Sequence, residues 1–150
     1  MQNQIIQKQH TQTALHLLTI GASELELSRY ERNLTIQDCV LSQDKPLYIA
    51  CYDIKSEGEI LSHVFRLTQR FLMVNFPETA IDLTASQFSQ DIIALRRDWN
   101  LDDIIMFFKF IRQRQDIPEL KTYGGKITAI KLIEFSGIYE NERCEVKEQF

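Results

Sequence analysis

The one stretch of this sequence with the composition of a phosphate cradle is Tyr123-Gly124-Gly125-Lys126, just ahead of a helix start at Thr128. Backbone amides at a glycine-rich turn and the positive end of a helix dipole together attract anions. The stretch lacks the GxxxxGK[ST] spacing of a P-loop, and no strong strand pattern precedes it. A turn between two helices needs a glycine at positive φ in any case, and that is the simpler account. The histidines, His10, His16 and His63, show neither ligand spacing nor HExxH; His63 follows Glu59 by four residues, the spacing of a surface pair on one helix. There is no GxSxG, and none of Cys39, Cys51 and Cys144 has a sequence-level case for a partnered base. Asp102 and Asp103 are neighbours, so they point about 100° apart on a helix, and helix capping accounts for both. These residues imply no catalytic group, no metal site and no cofactor, and the expectation is a non-enzymatic protein. An enzyme whose site is assembled from scattered residues is the alternative.

Charge is more informative than nucleophiles. The whole chain carries −4, yet Arg96, Arg97, Lys109, Arg112, Arg114, Lys121, Lys126 and Lys131 face only Asp98, Asp102, Asp103, Asp116 and Glu119 between positions 96 and 131. That stretch is therefore locally +3, with Tyr123 among the cations. Together with Arg66 and Arg70, these side chains are candidates to line one surface that neutralises phosphates or meets an acidic protein partner. Arg96, Arg97, Lys109, Arg112, Arg114, Lys121 and Lys126 are the expected contacts. A solvated surface with dipole-compensating cations at helix ends is the plainer reading.

The elements that must position these residues are helices. From about Ser56 to Phe76, Ile60, Val64, Leu67, Phe71 and Val74 recur in steps of four and three, with Leu61, Phe65, Leu72 and Phe76 as a second stripe. From 101 to 115, Leu101, Ile104, Ile105, Phe108 and Ile111 make one face, and Met106, Phe107 and Phe110 add apolar surface around it. Both segments are expected to be largely buried, central helices. Shorter helices are predicted at Thr11–Ile20, stopped by Gly21; at Glu24–Arg32, capped by Ser23; at Thr35–Leu41; and around Leu47, where a strand would have no partner. Thr84-Ala-Ser-Gln87 reads as a capping box opening a helix through Phe88, Ile92, Leu95 and Trp99. Thr128 caps a last helix through Tyr139.

The predicted fold is therefore all-α: one compact bundle of about six to eight helices over residues 1–150, with 1–12 a frayed N-terminal arm and 141–150 a charged tail. Composition agrees, since 44% of the 150 residues are hydrophobic, 25% are charged, and only five are Gly and three Pro. A chain of this length buries roughly 70% of its unfolded surface without a disulfide or metal. The Gln- and Thr-rich N-terminus lacks a signal peptide's basic start and apolar run, no stretch approaches the ~20 residues of a membrane span, and three cysteines without a CxxC suit a reducing interior. A cytoplasmic protein with no membrane contact is expected.

The order of short motifs carries a resemblance. Ile36-Gln-Asp-Cys-Val-Leu-Ser is followed by Lys45-Pro46-Leu47, Glu57-Gly58-Glu59, Leu83-Thr-x-x-Gln87, Trp99-x-Leu-Asp-Asp103, Phe107-Phe108, Tyr123-Gly124, Lys126-Ile127 and Tyr139-x-x-Glu142-Arg143. Over residues 35 to 143 this resembles a family of small helical bacterial proteins encoded in phage-like or conjugative mobile elements. Members typically carry a Gly-Lys pair where this chain has Pro118-Glu119-Leu120-Lys121-Thr122. The family has no established activity, so the resemblance implies a setting and not a reaction. Its plan is similar to that of phage proteins that load replicative helicases, an analogy of architecture alone. The expectation is a DNA-replication accessory binding a helicase or DNA; the alternative is a protein-interaction or oligomerisation module with no nucleic acid contact.

Overall fold

A computed structural model describes residues 13–50 and 53–150, and every regular element among them is helical. The N-terminal arm, 1–12, lies outside the described residues. The helices are α1 (Ala14–Thr19), α2 (Glu24–Asn33), α3 (Ile36–Leu41), α4 (Leu47–Ala50), α5 (Ile54–Asn75), α6 (Ile81–Leu95), α7 (Leu101–Gln113) and α8 (Ala129–Lys147), with a 3-10 turn at Pro118–Leu120 before α8.

Local chemistry sets most of the boundaries. Thr13, Ser23, Thr35, Asp53, Asn100 and Thr128 each accept a hydrogen bond from a first-turn amide, the arrangement that satisfies an otherwise unpaired donor. Thr35 with Asp38, and Asn100 with Asp103, are reciprocal capping boxes. Gly21, at φ +70°, ends α1 in the left-handed region, with its amide and that of Ala22 returned to Leu18 and Leu17. The short α4 starts where the Leu47 and Tyr48 amides find the carbonyls of Trp99 and Arg97, at 2.7 and 3.1 Å.

Two expected boundaries move. The helix predicted to open at Thr84 already begins at Ile81, and Ala80 caps it without a side-chain bond. A tight turn after Pro77 is the reason: the Thr79 amide reaches the Phe76 carbonyl, and Thr79 Oγ1 accepts the Ile127 amide at 2.8 Å. Thr84 to Gln87 therefore lie inside α6. At the other end, residues 141–147 of the expected tail continue α8, because Arg143 turns back into the core.

The central member is α7. Every residue from Leu101 to Ile111 is buried, and α1, α2, α3, α5 and α8 all pack on it. Phe71 of α5 stacks on Phe108 at 4.5 Å, and Trp99 meets Tyr139 of α8 edge-on at 4.9 Å, separations at which aromatic pairs attract beyond their burial. The expectation of an all-α bundle with α7 enclosed holds; α5 buries one face only, leaving Met73 and Val74 exposed.

Candidate functional site

Two features concentrate polar chemistry: a sealed acidic pair at the start of α7, and an open groove beside it.

Asp103 does what capping predicts and more. Its Oδ2 accepts the Asn100 amide at 3.0 Å, while Oδ1 accepts the Tyr139 hydroxyl at 2.8 Å and the Arg143 Nε at 2.9 Å. Arg143 also spans to the Asp98 carboxylate at 3.1 Å. Burial raises the Asp103 carboxyl above the usual carboxylate range, against the opposing pull of the Arg143 charge and the bonds from the Asn100 amide and Tyr139.

Asp102 is not explained by capping, which corrects the sequence reading. Fully enclosed, it gathers three N-terminal segments: the Ala14 amide at the start of α1 (3.1 Å), the Tyr30 hydroxyl on α2, and the Ser42 hydroxyl after α3 (2.7 Å). All three donors are neutral, and Asp102 has no ion-pair partner among the described residues. Desolvation therefore dominates and pushes its pKa up to about 6, the Asp44 charge adding to it and the Ser42 and Tyr30 bonds opposing. The two adjacent acids thus leave α7 about 100° apart and tie different helices to it.

The basic residues expected to form a surface are mostly committed within the fold. Lys109 is the correction: its ammonium is drawn inward to the carbonyls of Glu31, Arg32 and Leu34, at 2.7, 3.0 and 2.8 Å, where it closes the C-terminal end of α2. It is buried and leaves no proton for a ligand. Arg112 pairs with Glu31, and Arg114 with Asp116 and Glu142. Arg96 donates to Ser136 Oγ at 3.2 Å and lies over the Trp99 ring; Arg97 lies over the Tyr48 ring. Lys121 and Lys126 are exposed on either side of Tyr123, itself 81% exposed. The sequence brings these cations together in number, but the fold disperses them among helix ends and carboxylates.

Arg70 joins Arg112 instead, around a groove between α2, α5 and α7, while Arg66, outside the groove lining, pairs with the same Glu24. A cleft of about 260 Å³ there has a nearly sealed floor of Leu67, Phe71, Ile105 and Phe108, with Val74 exposed at its edge. Its rim is an ion-pair ladder: Arg66 to Glu24 (3.5 Å), Arg70 to Glu24 and Glu31 (3.5 Å to the latter), and Arg112 to Glu31. Arg70 Nη2 also donates to Ser28 Oγ at 2.7 Å. Sequence reasoning passed over Glu24, Ser28 and Glu31, although their spacing of four and three on one α2 face was the available signal.

Of the histidines, His16 is exposed, burial lowers the pKa of half-buried His63, and His10 lies outside the described residues. Among the described residues no group of three or more His, Cys, Asp or Glu is placed to hold a metal, and no helix is long and apolar enough to cross a membrane. No protein-family model, curated protein or solved structure matches this chain.

Proposed function

We propose that this chain is a non-enzymatic helical adaptor that docks a protein partner in the groove between α2, α5 and α7. The observation that carries the reading is the groove itself, in which exposed Val74 and the edges of Phe71 and Phe108 are flanked by polar and charged side chains, an arrangement suited to protein docking. At about 260 Å³ the cleft sits below the roughly 300–1,000 Å³ of small-molecule sites, and it is the size for one or two side-chain anchors. The commitment of Lys109, Arg112 and Arg114 to internal partners favours a protein over a polyanion. The resemblance to mobile-element proteins makes a replicative helicase the first partner to test.

The test is photo-crosslinking in a lysate of the native host, with benzoylphenylalanine at Val74 in the groove and, as control, at the equally exposed Ile130 of α8. The expected result is a defined protein adduct from position 74 that is lost in R70A/R112A, with mass spectrometry naming the partner. Equal adducts from both positions, or none from 74, sink the proposal.

A second reading rests on Tyr123 exposed between Lys121 and Lys126: one aromatic face for a base and two cations for phosphates, in single-stranded nucleic acid. Fluorescence anisotropy with a labelled single-stranded and a forked DNA at low salt decides it. Binding weakened at least tenfold in Y123A and in K121A/K126A supports this contact; no binding of either DNA removes it.

A further inference from the structure

We propose that α2 is a displaceable helix, and that the occupant of the groove is an amphipathic partner helix that takes its place over Arg66, Arg70 and Arg112. This rests on the docking reading above and names the chemistry of the partner.

Helix α2 is held by far less buried surface than the central α7. Leu27 is the one buried residue of Glu24–Asn33, whereas the whole of α7 from Leu101 to Ile111 is buried. Tyr30 adds partial packing against the core, and the remaining ties are polar: the Glu24 and Glu31 pairs, Ser28 to Arg70, the Tyr30 hydroxyl to Asp102, and Lys109 on the C-terminal carbonyls. Ion pairs at a solvent-exposed rim contribute little each, and Glu24 keeps 63% of its side chain in solvent, whereas Glu31, at 13%, is the firmer tie. An open cleft of about 260 Å³ lies beside α2, lined by Phe71 and Phe108 among others.

Lifting α2 would uncover that floor and strip three guanidinium groups of their carboxylates. The incoming surface must supply what α2 supplies. That is two carboxylates seven residues apart on one helix face, as Glu24 and Glu31 are, an apolar side chain three residues after the first, as Leu27 is, a hydroxyl for Asp102, as Tyr30 gives, and open C-terminal carbonyls for Lys109. A side chain larger than α2 offers would fill the cleft and favour the exchange. Helix-in-groove docking with complementary charge has this anatomy.

The experiment uses the full chain and a fluorescein-labelled peptide of residues 22–34 as the probe helix, with a second peptide carrying E24K and E31K as control. Anisotropy is expected to show binding to the wild-type chain, binding at least tenfold tighter to E24Q/E31Q, whose own α2 is less firmly held, and at least tenfold weaker binding to R70A/R112A. Far-UV circular dichroism of each variant establishes that it is folded. In the ¹⁵N-labelled chain, saturation with unlabelled peptide is expected to speed amide exchange in α2 while α7 stays protected. If E24Q/E31Q binds no tighter, or the charge-reversed peptide binds as well, displacement is overturned. If the peptide binds while α2 stays protected, displacement fails and the groove survives as a docking site. If neither peptide binding nor a Val74 adduct is found, both fail together.

Discussion

Replacing Asp102 by Asn makes a protein whose stability differs from wild type in a pH-dependent way. The side chain is 1% exposed and takes hydrogen bonds from the Ala14 amide and the Tyr30 and Ser42 hydroxyls. An asparagine of the same shape keeps Oδ1 on Ala14 and Tyr30, and its amide can donate to Ser42 Oγ in place of the bond it loses. What disappears is a desolvated charge. Asp102 titrates near pH 6 in the fold against an ordinary carboxyl value of 3.8. Two pKa units are about 3 kcal/mol of differential interaction. The sign follows from linkage. Between pH 4 and 6 the folded chain holds this proton and the unfolded chain does not, so stability from this group is fully present at low pH and falls as pH rises, levelling off above 6. The asparagine variant has no such loss. Charge-assisted bonds from Tyr30 and Ser42 offset part of the gain, since they are stronger to a carboxylate than to an amide. The expected outcome is D102N about 1–3 kcal/mol more stable than wild type at pH 7.5, with the difference shrinking by about 2–3 kcal/mol toward pH 4. Urea unfolding followed by far-UV circular dichroism at pH 4.0, 5.0, 6.0 and 7.5 measures it, and the difference between the two proteins cancels the other titrating groups. A difference that is flat from pH 4 to 7.5 would refute the argument, because it would mean that burial does not perturb the carboxyl.

Lys109→Met should cost about 2–4 kcal/mol in urea unfolding, because it removes the charged donor from three carbonyls at the end of α2, of which that of Glu31 keeps the Leu34 amide. Arg143→Ala should destabilise by about 3–5 kcal/mol, since it strands the buried Asp103 without its cation; the double variant with Asp103→Asn should recover part of that loss. Gly124→Ala, at φ +76° with open space around its Cβ, should cost about 1 kcal/mol by backbone conformation alone, seen as a lower urea midpoint with unchanged slope.

Helix identity was written in the sequence because its causes are local. Ser23 and Thr128 cap the helices they were expected to cap, and the four-and-three spacing of Ile60 to Phe71 marks the buried face of α5. The misplaced start of α6 has a long-range cause. The turn at 77–80 is pinned by contacts between Glu78 or Thr79 and residues 125–127, forty-seven or more positions away, as the Glu78 amide reaches the Gly125 carbonyl. Arg143 looked like part of a solvated tail for the same reason, because Asp98 and Asp103 meet it only when α8 folds across the start of α7.

The candidate site was the least legible part. By itself the sequence determined an all-α chain, its central helix α7, and a stretch from 96 to 131 with an excess of three positive charges. Which of those charges face solvent was decided by the tertiary structure. A cation's availability depends on the carbonyl or carboxylate within about 3–4 Å of it, and for Lys109 and Arg112 those partners lie at the end of α2 and just after it, between 75 and 81 residues away. The same packing sets Asp102 apart from Asp103. One residue along α7 turns a side chain about 100°, so one carboxylate meets a guanidinium and the other only neutral donors.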